Sequence, residues 1–260
     1  MILQSSQPKS DVKARSRTEG KPSGTLFVVG TPIGSLEELT ARAIKTLQNV
    51  SIVAAERPLV TQRLFDRHKI RTTLTSYGPR YQQEKIAVLI QRMSEGRDVA
   101  LVCDSGMPVV ADPGRLLIAA SHQAGIQVRV IPGASALTAA IAVSGQSGDS
   151  FVFESRLPQG GRLYRFLARF QSETRTVAFF VQSGFLKTVM EGLARVLPRR
   201  TVTVAVDLAE PQETLLRGTS TALLRKIDSL RGNGHVTIVL QGGRPGSKIK
   251  RERRSKPVSR

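Results

Sequence analysis

The chain has 260 residues, 40% hydrophobic and 23% charged, which is typical of a globular protein with a sizeable core. Its formal net charge of +19 indicates a polyanionic partner, most simply nucleic acid. One cysteine, Cys103, excludes an internal disulfide, and no apolar run approaches the length of a membrane span, so we expect a cytoplasmic protein with no membrane partner.

Both ends of the chain are basic and poor in large apolar residues. Residues 1–23 are rich in Ser, Lys and Arg, and residues 244–260 contain eight basic residues and one acidic residue. Such segments cannot bury enough apolar surface to offset the entropy cost of ordering. We therefore predict a disordered basic tail at each end.

Residues 24–143 alternate between short apolar runs and amphipathic stretches. The pattern predicts strands at 25–29, 51–55, 72–77, 98–103 and 126–131. It predicts helices that start near residues 35, 58, 82, 113 and 136 and end near residues 47, 68, 95, 123 and 143. This alternation predicts a mostly parallel sheet with helices on both faces.

The stretch from Asp98 to Gly114 organises this half of the chain, because a buried strand runs there into a stiff loop. Gly106 permits backbone angles that other residues avoid, and two prolines restrict φ. Asp112 followed by Pro113 predicts a helix start, with the Asp112 side chain as its N-cap. Either this loop is a ligand site at the carboxyl end of a central strand, or it is an ordinary strand-to-helix turn.

Residues 144–149 are polar and glycine-rich, which predicts a boundary between a domain at 24–143 and a second one at 144–243. Beyond the boundary the pattern predicts strands at 151–153, 176–181, 201–208, 213–219 and 235–240. It predicts helices from 162, at 184–197 and at 221–230. The strands at 201–208 and 213–219 have only a hairpin-length loop between them, so we expect a mixed sheet in a second α/β domain.

The loops of the chain resemble those of the tetrapyrrole-methylase superfamily, whose members are S-adenosylmethionine-dependent methyltransferases. No single motif is specific to this superfamily, but the order and spacing of the motifs taken together are. The motifs that carry the resemblance are Gly24-Thr25-Leu26, Gly30 to Gly34, Ala54-Ala55-Glu56, Asp104 to Pro108, Asp112-Pro113-Gly114, Ile131 to Leu137 and Leu216 to Thr219.

The resemblance implies two α/β domains of the tetrapyrrole-methylase type, with the cofactor cleft between them, and a homodimer. It implies S-adenosyl-L-methionine as cofactor, held by the loops after the first, fourth and fifth strands, and no metal. The residues at the matching positions are Thr31, Pro32, Gly34, Asp104, Ser105, Gly106, Pro108, Pro132, Gly133, Ala134, Ser135 and Ala136.

Within the superfamily the resemblance is greatest to the branch that methylates a ribose 2′-hydroxyl of a cytidine in small-subunit rRNA. It implies rRNA or the small ribosomal subunit as partner. Two alternatives stay open: a methyltransferase with another acceptor such as a tetrapyrrole, and a non-catalytic RNA-binding relative.

The chain departs from the superfamily mainly on the expected substrate side. Arg57-Pro58-Leu59 stands where the superfamily usually has Asp-Thr-Arg. The segment from Phe180 to Phe185 lacks the Glu, His and Arg of the usual motif. The cofactor loops are retained, so we expect methyl-donor binding to persist even where substrate contacts differ.

Two residues at the end of the second strand are candidate catalytic groups. A ribose hydroxyl is a poor nucleophile, so a base or a nearby cation should help it lose its proton. Glu56 is the candidate base, and Arg57 could stabilise a phosphate or an emerging alkoxide. Alternatively the two form a surface loop pair.

The remaining candidate groups favour structural roles. His68, His122 and His235 form no metal-ligand spacing, and we interpret all three as structural. Cys103 lies in a buried-strand pattern and is interpreted as a small core residue. The aromatic residues at 164 and 166, among arginines at 162, 165 and 169, either stack on single-stranded RNA or pack into the core of the protein.

Overall fold

The computed structural model describes residues 22–227 and 234–243. The tails predicted at 1–23 and 244–260 lie outside these ranges, apart from the exposed residues 22 and 23. The last residues of the helix predicted at 221–230 also lie outside them.

The first sheet is built from the apolar runs of residues 24–131. Its five strands are β1 (Thr25–Val29), β2 (Ile52–Ala55), β3 (Leu74–Ser76), β4 (Val99–Val102) and β5 (Gln127–Ile131). They are all parallel and lie in the order β3-β2-β4-β1-β5. The predicted parallel sheet is confirmed, and the carboxyl ends of all five strands therefore lie at one edge.

Helices cover both faces of this sheet, as predicted. They are α1 (Ala41–Asn49), α2 (Pro58–Arg67), α3 (Gln82–Ser94) and α4 (Arg115–Gln123). Alternate residues of a strand point to opposite faces. Val53 and Ala55 therefore pack with α1 and α2, whereas Ile52 and Ala54 pack with α3 and α4.

Two predicted helix starts were wrong. Ser35 caps only a short 3-10 turn, and α1 begins at Ala41, where the Thr40 hydroxyl accepts a hydrogen bond from the Ala43 amide at 3.1 Å. Asp112 is not an N-cap either, because α4 begins at Arg115 after Gly114. Gly114 has a φ of 143°, so the chain turns there before the helix can start.

The second sheet also has five strands and is mixed, as predicted. They are β6 (Phe151–Glu154), β7 (Thr176–Gln182), β8 (Thr201–Val206), β9 (Thr214–Thr219) and β10 (His235–Leu240). The order is β6-β7-β10-β8-β9, in which only β6 and β7 are parallel. The carboxyl ends of β6, β7 and β8 and the start of β10 therefore lie at one edge.

The helices of the second half of the chain cover the two faces of this sheet unequally. They are α5 (Ala136–Ser144), α6 (Gly161–Ala168), α7 (Leu186–Val196) and α8 (Ser220–Leu224). The last three pack on one face around the larger apolar core. On the other face, Ala140 and Ile141 of α5 contact Ala178, Ala205 and Val239.

The end of α5 is fastened to the second sheet. The Ser144 carbonyl accepts hydrogen bonds from Arg217 Nε of β9 at 3.1 Å and from the Thr203 hydroxyl of β8 at 3.3 Å. The next residue, Gly145, is left-handed with a φ of 66° and ends the helix. Across residues 22–227 and 234–243, each helix is too short or too polar to cross a membrane.

Candidate active site

The loops after β1 and β4 are joined by their backbones. The Thr31 amide donates to the Gly106 carbonyl at 2.9 Å, and the Gly106 amide donates back at 3.2 Å. The Thr31 hydroxyl also donates to the carbonyls of Cys103 and Gly106, each at 3.2 Å. Thr31 is 2% exposed, so its side chain fixes the two loops to each other.

The loop after β5 joins the same cluster through a contact between two glycines. A Cβ atom on Gly30 would lie 2.7 Å from the Gly133 Cα, so only glycine allows this approach. Gly106 has a φ of 80°, and a Cβ atom there would lie 3.6 Å from Ile33 and 3.7 Å from the Ala134 carbonyl. The predicted convergence of the loops after the first, fourth and fifth strands is thus confirmed.

A cleft of about 450 Å³ lies between these loops and one edge of the second sheet. One wall carries the charged groups Glu56, Arg57, Asp104 and Asp112. The opposite wall is mostly neutral, with apolar and uncharged polar groups and one histidine. Its main members are Ser155, Phe180, Gln182, Ser183, Leu208 and His235.

The predicted cofactor residues divide into two groups. Those that line the cleft are Asp104, Ser105, Gly106, Ser135 and Ala136. Those outside its lining are Thr31, Pro32, Gly34, Pro108, Pro132, Gly133 and Ala134. Several of this second group hold the loops in place: a Cβ atom on Gly34, for example, would lie 2.6 Å from the Ala209 carbonyl of the β8–β9 loop.

Arg57 and Asp104 form an ion pair across the charged wall. The Arg57 side chain is 67% exposed, whereas that of Asp104 is only 13% exposed. Arg57 Nε binds Asp104 Oδ2, and Asp104 Oδ1 is buried with no hydrogen-bond partner among the described residues. Asp104 therefore has one oxygen left for a ligand donor.

Burial and like charge together perturb two other carboxyl groups of this wall. Burial raises the pKa of Glu56 above its ordinary value, and the negative charges of Asp112 and Asp104 raise it further. Burial likewise raises the pKa of Asp112, and Asp104 adds to the effect, whereas the Cys103 thiol and His235 oppose it. Perturbed carboxyl groups that share a cleft are typical of functional sites.

Cys103 is buried, as predicted, at the end of β4. Its thiol donates to the carbonyls of Ser105 and Gly106, each at 3.4 Å. Burial, with the charge of Asp112, raises the pKa of this thiol, which disfavours the nucleophilic thiolate. We find no group of three or more His, Cys, Asp or Glu side chains arranged for a metal ion within the described ranges.

Two features of the site differ from what the sequence predicted. Asp112 was interpreted as a helix cap, but it lines the cleft, since the Asp-Pro pair precedes a glycine turn and not the helix itself. His235 was interpreted as structural, yet it lines the opposite wall with Phe180. That placement depends on β10 running antiparallel to β7, which no local pattern indicates.

The loop between Gly106 and Gly114 is also backbone-strained, which residue patterns did not indicate. Val109 has a φ of 77° and Ala111 a φ of 73°. A positive φ is uncommon outside glycine, and at a β-branched residue such as valine it costs roughly 1–3 kcal/mol. This conformation places Val110, Ala111 and Asp112 in the cleft lining.

Comparison with known proteins agrees with this architecture. The family described as Tetrapyrrole (Corrin/Porphyrin) Methylases matches residues 25–224. Ribosomal RNA small subunit methyltransferase I of Thermotoga maritima is 36% identical over 219 residues, which covers 84% of this chain and 99% of that protein. The protein of the same name from Halalkalibacterium halodurans is 34% identical over 230 residues, or 88% and 79% of the two chains.

Solved structures show the same fold at lower sequence identity. The cobalt precorrin-4 methyltransferase CbiF superposes with a TM-score of 0.63 at 21% identity, over 84% of this chain and 94% of that one. Uroporphyrin-III C-methyltransferase from Thermus thermophilus, complexed with S-adenyl homocysteine, gives a TM-score of 0.59 at 21% identity, over 84% and 97%. The chain therefore belongs to the tetrapyrrole (corrin/porphyrin) methylase family, and it is a methyltransferase that uses S-adenosylmethionine as methyl donor.

Proposed function

We propose that the chain methylates a ribose 2′-hydroxyl of a cytidine in small-subunit rRNA. Two relatives at 34–36% identity carry the name ribosomal RNA small subunit methyltransferase I, and the chain spans most of each of them. The net charge of +19 suits a polyanionic partner. We place this reaction in the cytoplasm, where the rRNA of a bacterial relative is found.

The charge of the cleft is the observation that carries the choice of acceptor. Glu56, Asp104 and Asp112 line it, and the only Arg or Lys in its described lining is Arg57, which is already paired with Asp104. A porphyrinoid with several carboxylates would meet repulsion there, with no unpaired Arg or Lys to compensate. A nucleoside is neutral apart from its phosphates, which can remain at the cleft mouth. The acidic lining thus favours RNA over a tetrapyrrole acceptor.

The residues present fit the methyl donor. S-adenosylmethionine carries a sulfonium and an ammonium group, and the carboxylates of Asp104 and Asp112 complement positive charge. Asp104 Oδ1 is buried and unpartnered among the described residues, and Gly106, which also lines the cleft, has no side chain to fill it. When bound there, the donor supplies an electrophilic methyl carbon, so the protein mainly has to align the acceptor and exclude water.

Glu56 and Arg57 act on the acceptor in this proposal. The raised pKa makes the Glu56 carboxylate a stronger base than an ordinary glutamate, and it takes the proton of the 2′-hydroxyl. Arg57 holds the Asp104 carboxylate in place, and its exposed guanidinium offsets negative charge that develops on the acceptor oxygen. Arg57 forms its ion pair with Asp104 and not with Glu56, so the Asp104 backbone and the charge of Arg57 only partly offset the raised pKa of Glu56.

We further propose a homodimer, and two domains, one built on each sheet. Since α5 packs on the second sheet, the boundary lies before this helix and not at 143/144 as the sequence predicted. Exposed apolar residues support the dimer: Val130 on the edge strand β5 is 57% exposed, and Val143 on α5 is 45% exposed. The outer face of α5 carries no charged residue, because the whole helix reads Ala-Leu-Thr-Ala-Ala-Ile-Ala-Val-Ser. A second copy of the chain would cover these groups.

Transfer of labelled methyl groups tests the proposal. Purified protein is incubated with labelled S-adenosylmethionine and either small ribosomal subunits or free rRNA that lack the modification, and the labelled nucleoside is identified after digestion. We expect label on a cytidine ribose. Glu56→Gln should lose most of the rate while it still binds the donor by calorimetry, and Glu38→Gln, an exposed glutamate in a 3-10 turn, is the control. Label on the base, or no label with donor bound, contradicts the proposal.

A further inference from the structure

Several exposed arginines lie in the stretch of chain that follows the cleft residue Ser155 and continues through α6. Ser155 lines the cleft, and the exposed Arg156 follows it. Arg162, Arg165 and Arg169 are exposed on and just after α6. Residues three and seven apart lie on one side of a helix, so these three form one stripe, about 10 Å long at 1.5 Å per residue. We call Arg162, Arg165 and Arg169 the arginine stripe.

Two guanidinium groups at this surface lie over aromatic rings. The Arg169 guanidinium carbon is 5.2 Å from the ring centroid of Phe166, and that of Arg195 on α7 is 4.8 Å from the centroid of Tyr164. Phe166 also packs against the core, beside Phe170. Phe166 thus follows the core-packing alternative from the sequence, and stacking of the two aromatic residues on RNA stays a prediction.

These cations have few carboxylate partners. Arg169 Nη2 lies 4.0 Å from Glu154 Oε1, which is a weak contact, and the Arg169 side chain remains 65% exposed. Within the described residues, Arg162, Arg165 and Arg195 have no carboxylate at ion-pair distance. Elsewhere on the surface, Arg175 is matched by Glu173 at 2.8 Å. Unmatched guanidinium groups in a row are suited to a partner with regularly spaced anions.

We infer that the arginine stripe, together with Arg195, binds the single-stranded RNA that flanks the methylated nucleotide. The inference rests on the proposed function, because it takes RNA as the acceptor. The stripe pairs with successive phosphates, while the planes of Arg169 and Arg195, held by the rings beneath them, offer stacking surfaces for unpaired bases. Only the loop at 156–160 separates the cleft residue Ser155 from the start of α6, so we place the flanking RNA across the stripe and the acceptor nucleotide in the cleft.

Salt-dependent RNA binding by two matched triple variants of the full chain tests the inference. The first is Arg162→Gln/Arg165→Gln/Arg169→Gln. The control is Arg42→Gln/Lys45→Gln/Arg71→Gln, which removes the same charge from exposed positions beside the first sheet. The probe is a labelled, unstructured RNA of about 16 nucleotides, followed by anisotropy. Each lost phosphate contact lowers the slope of log affinity against log salt by about 0.7, so the stripe variant should lose about 2 from its slope.

The control variant should keep the wild-type slope, and all variants should bind S-adenosylmethionine as the wild type does. Equal slopes for the stripe and control variants would overturn the inference. If the stripe triple fails to fold, the single variants Arg165→Gln and Arg42→Gln give the same comparison, with an expected difference of about 0.7 in slope.

A conservative variant separates stacking from charge. Arg195→Lys keeps the positive charge but loses the planar group. We expect its RNA affinity to fall several-fold with the salt slope unchanged. An unchanged affinity for RNA would show that Arg195 is not part of the RNA-binding surface. If methyl transfer proceeds with no contribution from the stripe, this inference is overturned and the proposed function stands. If RNA binds through the stripe but no methyl group is transferred, the proposed function is overturned and RNA binding by the stripe stands.

Discussion

Arg57 and Asp104 pair across two neighbouring strands, because the loops that follow β2 and β4 emerge side by side at the carboxyl edge of the first sheet. The cation lies toward solvent, and the anion lies at the base of the cleft. In the proposed site, the exposed cation would therefore face the acceptor, and the buried anion would face the methyl donor.

Replacement of Arg57 should weaken binding of the RNA acceptor and should have little effect on the stability of the protein. Arg57→Gln leaves Asp104 without its partner and makes the cleft more negative, so we expect KM for RNA to rise about tenfold. The pair is largely exposed on the arginine side, so the free energy of unfolding should fall by no more than about 1 kcal/mol. Steady-state kinetics and denaturant titration measure the two effects. Arg57→Lys should recover part of the affinity, and a variant with wild-type KM would contradict the assignment.

The pH dependence of methyl transfer should report the raised pKa of Glu56. A base must be deprotonated to act, so kcat/KM should increase as pH rises through this pKa, and the acid limb should lie above that of an ordinary glutamate. Asp112→Asn removes one negative charge that raises this pKa, so its acid limb should shift to lower pH. If the acid limb of kcat/KM lies at the same pH in Asp112→Asn as in the wild type, the ionisation that it reports is not that of Glu56.

Gly106→Arg should abolish donor binding without unfolding the protein. The φ of 80° disfavours any side chain, and the long arginine would enter the cleft between Ile33 and the Ala134 carbonyl. Calorimetry with S-adenosylmethionine should show at least a hundredfold loss of affinity, with the circular dichroism spectrum retained. Gly125→Arg is the control, since this glycine has a similar φ of 69° but open space around it. Undiminished binding by Gly106→Arg would place the donor elsewhere.

Arg200 should be a major contributor to the stability of the second half of the chain. Its guanidinium donates to the carbonyls of Phe170 at 3.1 Å, Gln171 at 2.9 Å and Gln241 at 2.6 Å. Arg200→Ala leaves these carbonyls without their donor and should cost about 2–3 kcal/mol of unfolding free energy. Arg199→Ala, at the exposed neighbouring position, should change it by less than about 0.5 kcal/mol. Equal effects of the two variants in a urea titration would contradict this role.

Much of the first half was predictable because its signals are local. The run Val99–Val102 is apolar at every position, which is typical of a strand covered on both faces. The glycines at positions 30, 106 and 133 marked the loops that meet. What was not predictable is which residues of those loops face the cleft. Thr31 belongs to a binding motif by sequence, yet its hydroxyl is used to hold two loops together.

The second wall of the cleft required long-range information. Phe180 and His235 are 55 positions apart and meet at the cleft because β7 and β10 pair antiparallel, in a register that sets Gln182 opposite His235. The prediction that Asp112 caps a helix was wrong for a different reason. Aspartate before proline is a common helix start, but here the backbone turns at Gly114 and the helix begins only at Arg115. The helix-starting preference of the Asp112-Pro113 pair is thus overridden by the glycine turn, which places the Asp112 carboxylate in the cleft.

The attachment of α5 to the second sheet has a consequence for anyone who divides this chain into separately produced halves. The helix precedes the polar segment at 144–149, but its buried side contacts β7, β8 and β10, and Arg217 holds its last turn. A fragment that stops at residue 143 would carry away the helix that shields the second half from water. A break within residues 132–135 would instead leave the helix with its sheet, so fragments divided there should complement better than fragments divided at residue 143.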